Sequence, residues 1–92
     1  MDQDLERRTE ATEQNFRAWC IENGFSVSPD GRVSETAAAQ LLGLEVSTLS
    51  NLRSMGVAPP YFRRSWGGTR NSYRLYDLAL HIEKGRIVGL ME

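Results

Sequence analysis

The sequence predicts a mainly α-helical chain with one small β-hairpin. Three features predict it. Segments with helical spacing of apolar residues close on Gly24, Gly43, Gly56 and Gly85, and three of them open on Ser34, Ser47 and Asp77; glycine is the common helix stop and Ser or Asp the common helix cap. Pro59 and Pro60 then interrupt the helical pattern, because proline removes a donor and fixes φ. Beyond them an aromatic run and an alternating run flank a Gly-Gly pair, the pattern of two strands around a turn. A chain of 92 residues fits one domain. At that length about 60–65% of the unfolded surface is buried on folding, so the core is small.

The first helix is expected over residues 4–23. Leu5, Thr9, Thr12, Phe16, Trp19, Cys20 and Asn23 fall on one face at about 100° per residue. That stripe is apolar only in its second half, which predicts fraying before about Glu10. Glu13 and Arg17 make a favourable i,i+4 pair, and Gly24 ends the helix. Phe25 and Val27 alternate, Ser28-Pro29-Asp30-Gly31 is turn chemistry, and Arg32-Val33 returns as a short strand. Ser34 caps a helix to about Leu42, with Ala38, Leu41 and Leu42 on its apolar side. Gly43 and Leu44-Glu45-Val46 make a tight connection. Ser47 is expected to cap a second short helix, Thr48 to Met55. After the Pro loop, Tyr61 to Trp66 and Ser72 to Leu75 form the hairpin strands, with the turn at Gly67–Asn71. Asp77 is expected to cap the last helix, Leu78 to Lys84, before an apolar tail, Ile87–Met91.

Composition excludes several classes. One cysteine, Cys20, rules out an intrachain disulfide framework and a multi-Cys zinc site. The single histidine, His81, leaves little for metal binding or acid–base work. No cofactor or small-molecule substrate is expected: there is no Walker-type loop and no supported Ser/His/Asp set, so the chain is expected not to be an enzyme. The longest apolar runs, Ala37–Ala39 and Ala18–Ile21, are far too short to span a membrane. The acidic, polar start MDQDLERRTE is unlike a signal peptide, and a cytoplasmic location in a bacterial cell, associated with the nucleoid, is the expectation.

Net charge is −1, which on its own does not point to nucleic acid. The distribution does. Residues 1–30 hold seven acids and three arginines, net −4, and residues 31–92 hold eight bases and five acids, net +3. From Val46 through Tyr76 there is no acid, and there are five arginines: Arg53, Arg63, Arg64, Arg70 and Arg74. A one-sign stretch of that length suits an anionic partner; a merely solvated face has the same composition.

The order helix, turn, helix, Pro loop, hairpin, helix is that of a winged helix-turn-helix, here with an extra N-terminal helix. The segments VSETAAAQLLGLEVSTLSNLRSMG, APPYFRR, the Gly-rich turn and YRLYDLALHIE resemble the DNA-binding domain of the excisionase family, within the MerR-like winged-helix superfamily. The resemblance covers Val33 to Lys84. It implies that the second helix of the pair enters the major groove and that the hairpin around Gly67–Asn71 reaches the minor groove or the backbone. It also implies a phage or mobile-element protein, an excisionase-like architectural factor or a transcription regulator. Residues 1–31 then form an N-terminal helix and turn for docking or dimerisation, and residues 32–92 the DNA-binding domain.

Leu49 and Leu52 mark the buried side of the Ser47–Met55 helix, which places Ser47, Ser50, Asn51 and Ser54 opposite and Thr48 and Arg53 at the flanks. Asn reads adenine, Arg reads guanine or clamps phosphate, and Ser bonds either base or phosphate; an exposed polar face that touches nothing is the plainer alternative. Arg63 and Arg64 alternate to opposite strand faces. Arg70 beside the glycines suits a narrow minor groove, and Arg74 suits backbone contact. Four such arginines on phosphates give a slope of log K on log salt of about −3 to −4. Tyr61, Phe62, Tyr73 and Tyr76 are expected in strand and core packing. Phe16, Trp19 and Cys20 are expected to dock the first helix or to form a dimer interface. The partner expected is double-stranded DNA, bound by a homo-oligomer, as a dimer or a cooperative array. Two alternatives stand beside this: a protein-interaction module on the same scaffold that has lost DNA binding, favoured by the acidic residues 1–30, and a small terminase-like DNA-recognition subunit.

Overall fold

The computed structural model describes residues 3–63 and 71–86, so Arg64, Trp66, the Gly67-Gly68 turn, Arg70 and the Ile87–Met91 tail lie outside the described residues. Seven elements follow in order: α1 (Gln3–Glu22), β1 (Arg32–Ser34), α2 (Glu35–Leu42), α3 (Val46–Ser54), β2 (Phe62–Arg63), β3 (Asn71–Arg74) and α4 (Leu75–Lys84). The fold is mainly helical with a small antiparallel sheet of order β1-β3-β2.

The sheet register sorts its side chains. Arg32 pairs Arg74, Val33 pairs Tyr73 and Ser34 pairs Ser72 across β1 and β3. Phe62 pairs Ser72 and Arg63 pairs Asn71 across β2 and β3. Val33, Asn71 and Tyr73 are buried and so define the inner face, and the pleat sends Arg32, Ser72, Arg74 and Phe62 to the outer one.

The core gathers Cys20, Val33, Ala37, Ala38, Ala39, Leu49, Tyr73, Leu75 and Leu78. Three consecutive alanines of α2 are buried together. Three consecutive residues sweep about 200° of a helix, so α2 is enclosed on more than one side, which only small side chains allow. Ser34 caps it as expected, its Oγ accepting from the Ala37 N–H at 3.2 Å. At the other end Gly43 takes φ +72. Its N–H donates to the Gln40 carbonyl at 3.0 Å, and the Leu44 N–H donates to that of Ala39 at 2.8 Å. That is the Schellman stop, which needs a left-handed residue. Gly56 ends α3 in the same way, with φ +75.

Two expected caps are corrected. The N-cap of α3 is Glu45, without a side-chain cap bond, and Ser47 is the second residue of the helix. The chain leaving Gly43 is already aimed into the helix, so Glu45 occupies the cap and Val46 begins it. Likewise α4 starts at Leu75, capped by Arg74, with Asp77 in the first turn. Strand β3 passes straight into the helix, and the Leu75 N–H donates to the Gly31 carbonyl at 2.7 Å. Phe25 and Val27 form no strand; they pack against the core, and Phe25 stacks on Trp19 at 5.5 Å.

α1 is helical from Gln3 despite its polar first half. It packs along α4, and a polar clasp holds the polar turns. The buried Glu83 carboxylate accepts from Thr12 Oγ1 at 2.7 Å and Arg8 Nε at 3.2 Å. Arg8 also pairs with Asp4 at 2.6 Å. Glu83 is held below the usual carboxylate range, first by the Thr12 hydroxyl and then by Arg8 and Arg86. Further along, Cys20 is fully buried, and desolvation raises its thiol pKa. No helix among the described residues is long and apolar enough to cross a membrane.

Candidate nucleic-acid interface

α3 is seated by Leu49, which is fully buried, and by half-buried Leu52. Counting around the helix from them puts Ser47, Asn51 and Ser54 outward and Thr48 at the flank, and all four are exposed. These are small donors and acceptors on a helix that begins one short turn after α2. Val46 and Met55 bracket the face at its two ends, and Val57 follows just beyond; all three are exposed.

Ser50, which the same count places outward, is instead half-buried with its hydroxyl engaged by Arg53, and Arg53 itself turns inward. Arg53 lies four residues after Leu49, hence on the same side of the helix, and its side chain is only 15% exposed. It is ion-paired with Glu35 in the first turn of α2. Its Nη1 donates to Tyr73 Oη at 3.1 Å and its Nη2 to Ser50 Oγ at 3.4 Å. The Asn71 amide lies against the same guanidinium; assigning its oxygen to that side lets it accept from Arg53 Nε at 3.3 Å and Nη2 at 3.2 Å. The guanidinium also lies 5.6 Å from the ring centre of Tyr61. One arginine thus joins α2, α3, β3 and the loop before β2. Burial raises the Tyr73 phenol pKa, and the Arg53 charge acts against that shift.

The arginines of the hairpin separate. Arg63 is exposed at the end of β2 and shares the inner-face register with Asn71. Arg74 faces the outer side, beside Arg32 and the Phe62 ring. Arg64 and Arg70 lie outside the described residues. Among the described residues, then, Ser47, Thr48, Asn51 and Ser54 come together on one surface, Ser50 and Arg53 turn inward beneath it, and Arg74 lies across the sheet.

No family model, curated protein or solved structure matches the chain.

What the α3 surface offers chemically is hydrogen bonding without a charge of its own. Amide and hydroxyl groups suit base edges and phosphate oxygens, and none of the four exposed side chains bonds to another described residue. An open cleft of about 420 Å³ lies next to it, lined by Arg53, Gly56, Ala58, Pro59, Pro60 and Tyr61. Among the described residues no group of three His, Cys, Asp or Glu side chains is placed to hold a metal. Of the expected aromatic packing, Tyr73 is fully buried, whereas Tyr61 and Phe62 are exposed beside arginines. The Glu35–Arg53 pair was missed by sequence reasoning. The signal was present in Arg53's spacing from Leu49, but its partner lies 18 positions earlier in the chain, which no local pattern reports.

Proposed function

We propose that this chain is a small sequence-specific DNA-binding protein of winged helix-turn-helix type, acting as an excisionase-like architectural factor or a transcription regulator of phage or mobile-element origin. One observation carries the reading: α3 exposes Ser47, Thr48, Asn51 and Ser54 on a helix braced from behind by Leu49 and the Arg53–Glu35 pair. A surface of unengaged donors and acceptors on a rigid, groove-sized helix suits base edges. The acid-free stretch from Val46 to Tyr76 supports an anionic partner. In this reading α3 enters the major groove, Asn51 is the principal base contact, and the β2–β3 hairpin lies on the neighbouring backbone. The footprint of a domain this small favours a dimer or a cooperative array.

A fluorescence-anisotropy titration with labelled duplexes at two salt concentrations tests it. Saturable binding that weakens with salt, and is weakened further by Asn51→Ala without loss of fold, is the expected result. No binding to any duplex at low salt would overturn it. A second reading has one observation in its favour: Met55 and Val57 are 66% and 54% exposed at the end of α3, which suits an apolar protein partner. In that case Met55→Ser would abolish partner binding, and duplex DNA would never bind.

A further inference from the structure

The outer face of the sheet holds an arrangement that the α3 surface does not use. Arg32 and Arg74 are direct cross-strand partners. Like charges placed opposite each other on a sheet repel, so their presence there needs compensation. Two groups supply it. The Phe62 ring, reached across the Ser72 pairing, lies 5.1 Å from the Arg32 guanidinium and 5.0 Å from that of Arg74. Asp30, in the turn before β1, accepts from Arg32 Nε at 3.0 Å and lies 3.8 Å from Arg74 Nη2.

That compensation is incomplete in a way that favours a ligand. Two guanidiniums against one carboxylate leave a positive charge. Arg74 stands beyond hydrogen-bond range of Asp30, donates to no other described residue, and has a side chain 43% exposed. Arg32 is 37% exposed and also reaches Ser72 Oγ at 3.3 Å. Contact with an aromatic ring restrains a guanidinium plane and leaves its N–H edge for an oxyanion. Asp30 is itself secured by the Ser28 hydroxyl and Arg32, which hold its carboxyl below the usual range. It therefore remains an anion and competes with any other anion for the two arginines.

We propose that Arg32 and Arg74, spaced by Phe62, form a phosphate-binding surface for the DNA backbone, and that Asp30 is its built-in competitor. The choice of duplex DNA as ligand rests on the reading above. The surface is separate from α3, because it lies on the opposite side of the sheet from Tyr73, to which Arg53 of α3 is bonded.

The test is a salt-dependent anisotropy titration of the full chain and three variants with a labelled duplex, paired with NMR of arginine side-chain Nε–Hε signals. Asp30→Asn tightens binding and steepens the salt slope by about one unit. Arg74→Ala weakens binding and flattens the slope by about one unit, so its deficit against wild type shrinks by about 3.5-fold from 50 to 200 mM salt. Arg74→Lys, which keeps the charge, restores the slope. Far-UV circular dichroism of each variant verifies the fold. Duplex addition shifts the Arg32 and Arg74 Nε signals. If α3 amides shift on duplex addition while those Nε signals and the Asp30→Asn affinity stay at wild-type values, the proposal is wrong and the α3 reading stands. If the Nε signals shift and the α3 amides do not, the α3 reading fails instead. Tighter binding of an acidic peptide than of duplex by the Asp30→Asn variant would assign the surface to a protein partner and overturn the proposal.

Discussion

Arg53 shows how a single side chain can change its meaning between sequence and structure. By type and position it belongs to the acid-free, arginine-bearing stretch from Val46 to Tyr76. By contact it is a strut, ion-paired with Glu35 and bonded to Tyr73 and Ser50. Removing one member of a largely buried pair leaves the other without compensation, which costs about 3 kcal/mol. Arg53→Ala is therefore expected to lower unfolding stability by roughly that amount in urea titrations. In a double-mutant cycle with Glu35→Gln, the two losses should fall short of additive by about 1 kcal/mol or more; simple additivity would show that the pair is not coupled. Asn51 offers the contrast. It is exposed on the same helix and its side chain bonds to no described residue, so Asn51→Ala should leave stability within about 0.5 kcal/mol of wild type while weakening DNA binding.

Among the elements, those defined by local chemistry were legible and those decided by contacts were not. Gly43 and Gly56 announced the ends of α2 and α3, because a left-handed residue is a requirement of the backbone itself. Gly43→Ala puts a Cβ in open space yet keeps φ at +72, so it should cost about 1–2 kcal/mol from strain alone; a D-alanine at that position should not. The helix starts were misread at Ser47 and Asp77, since the direction of the incoming chain chose Glu45 and Arg74 instead. Ser47, Asn51 and Ser54 followed from periodicity as outward residues of α3, whereas Ser50, counted with them, is half-buried against Arg53, and the two faces of the hairpin needed the register. The polar half of α1 was expected to fray because its stabilising partner, Glu83, lies at the far end of the chain. That partner gives the clasp a pH dependence. The folded-state pKa of Glu83 is depressed, so its contribution is present above the ordinary carboxylate value of about 4.3 and is lost as pH falls through the folded value. The stability difference between wild type and Glu83→Gln should accordingly be constant near neutrality and shrink below about pH 4. A difference that does not change with acid would rule out this role.

Taken as a whole, the sequence divides its charge along the chain, with net −4 over residues 1–30 and no acid from Val46 to Tyr76. A near-neutral total therefore hides a strongly uneven sequence, and the fold spreads the described arginines of that stretch over more than one surface. Because Arg53 is neutralised internally, it should contribute nothing to the release of counterions, and the salt slope should be set by the hairpin and outer-sheet arginines alone. Finally, β3 and α4 are fused: Arg74 closes the strand and caps the helix, and no loop lies between them. A joint without slack transmits torque. Tilting the hairpin against a duplex must rotate α4 with it, and α4 carries the Glu83 clasp. Hydrogen exchange of α1 amides is thus a remote gauge of events at the hairpin, and in the proposed reading protection there should change when duplex DNA is added.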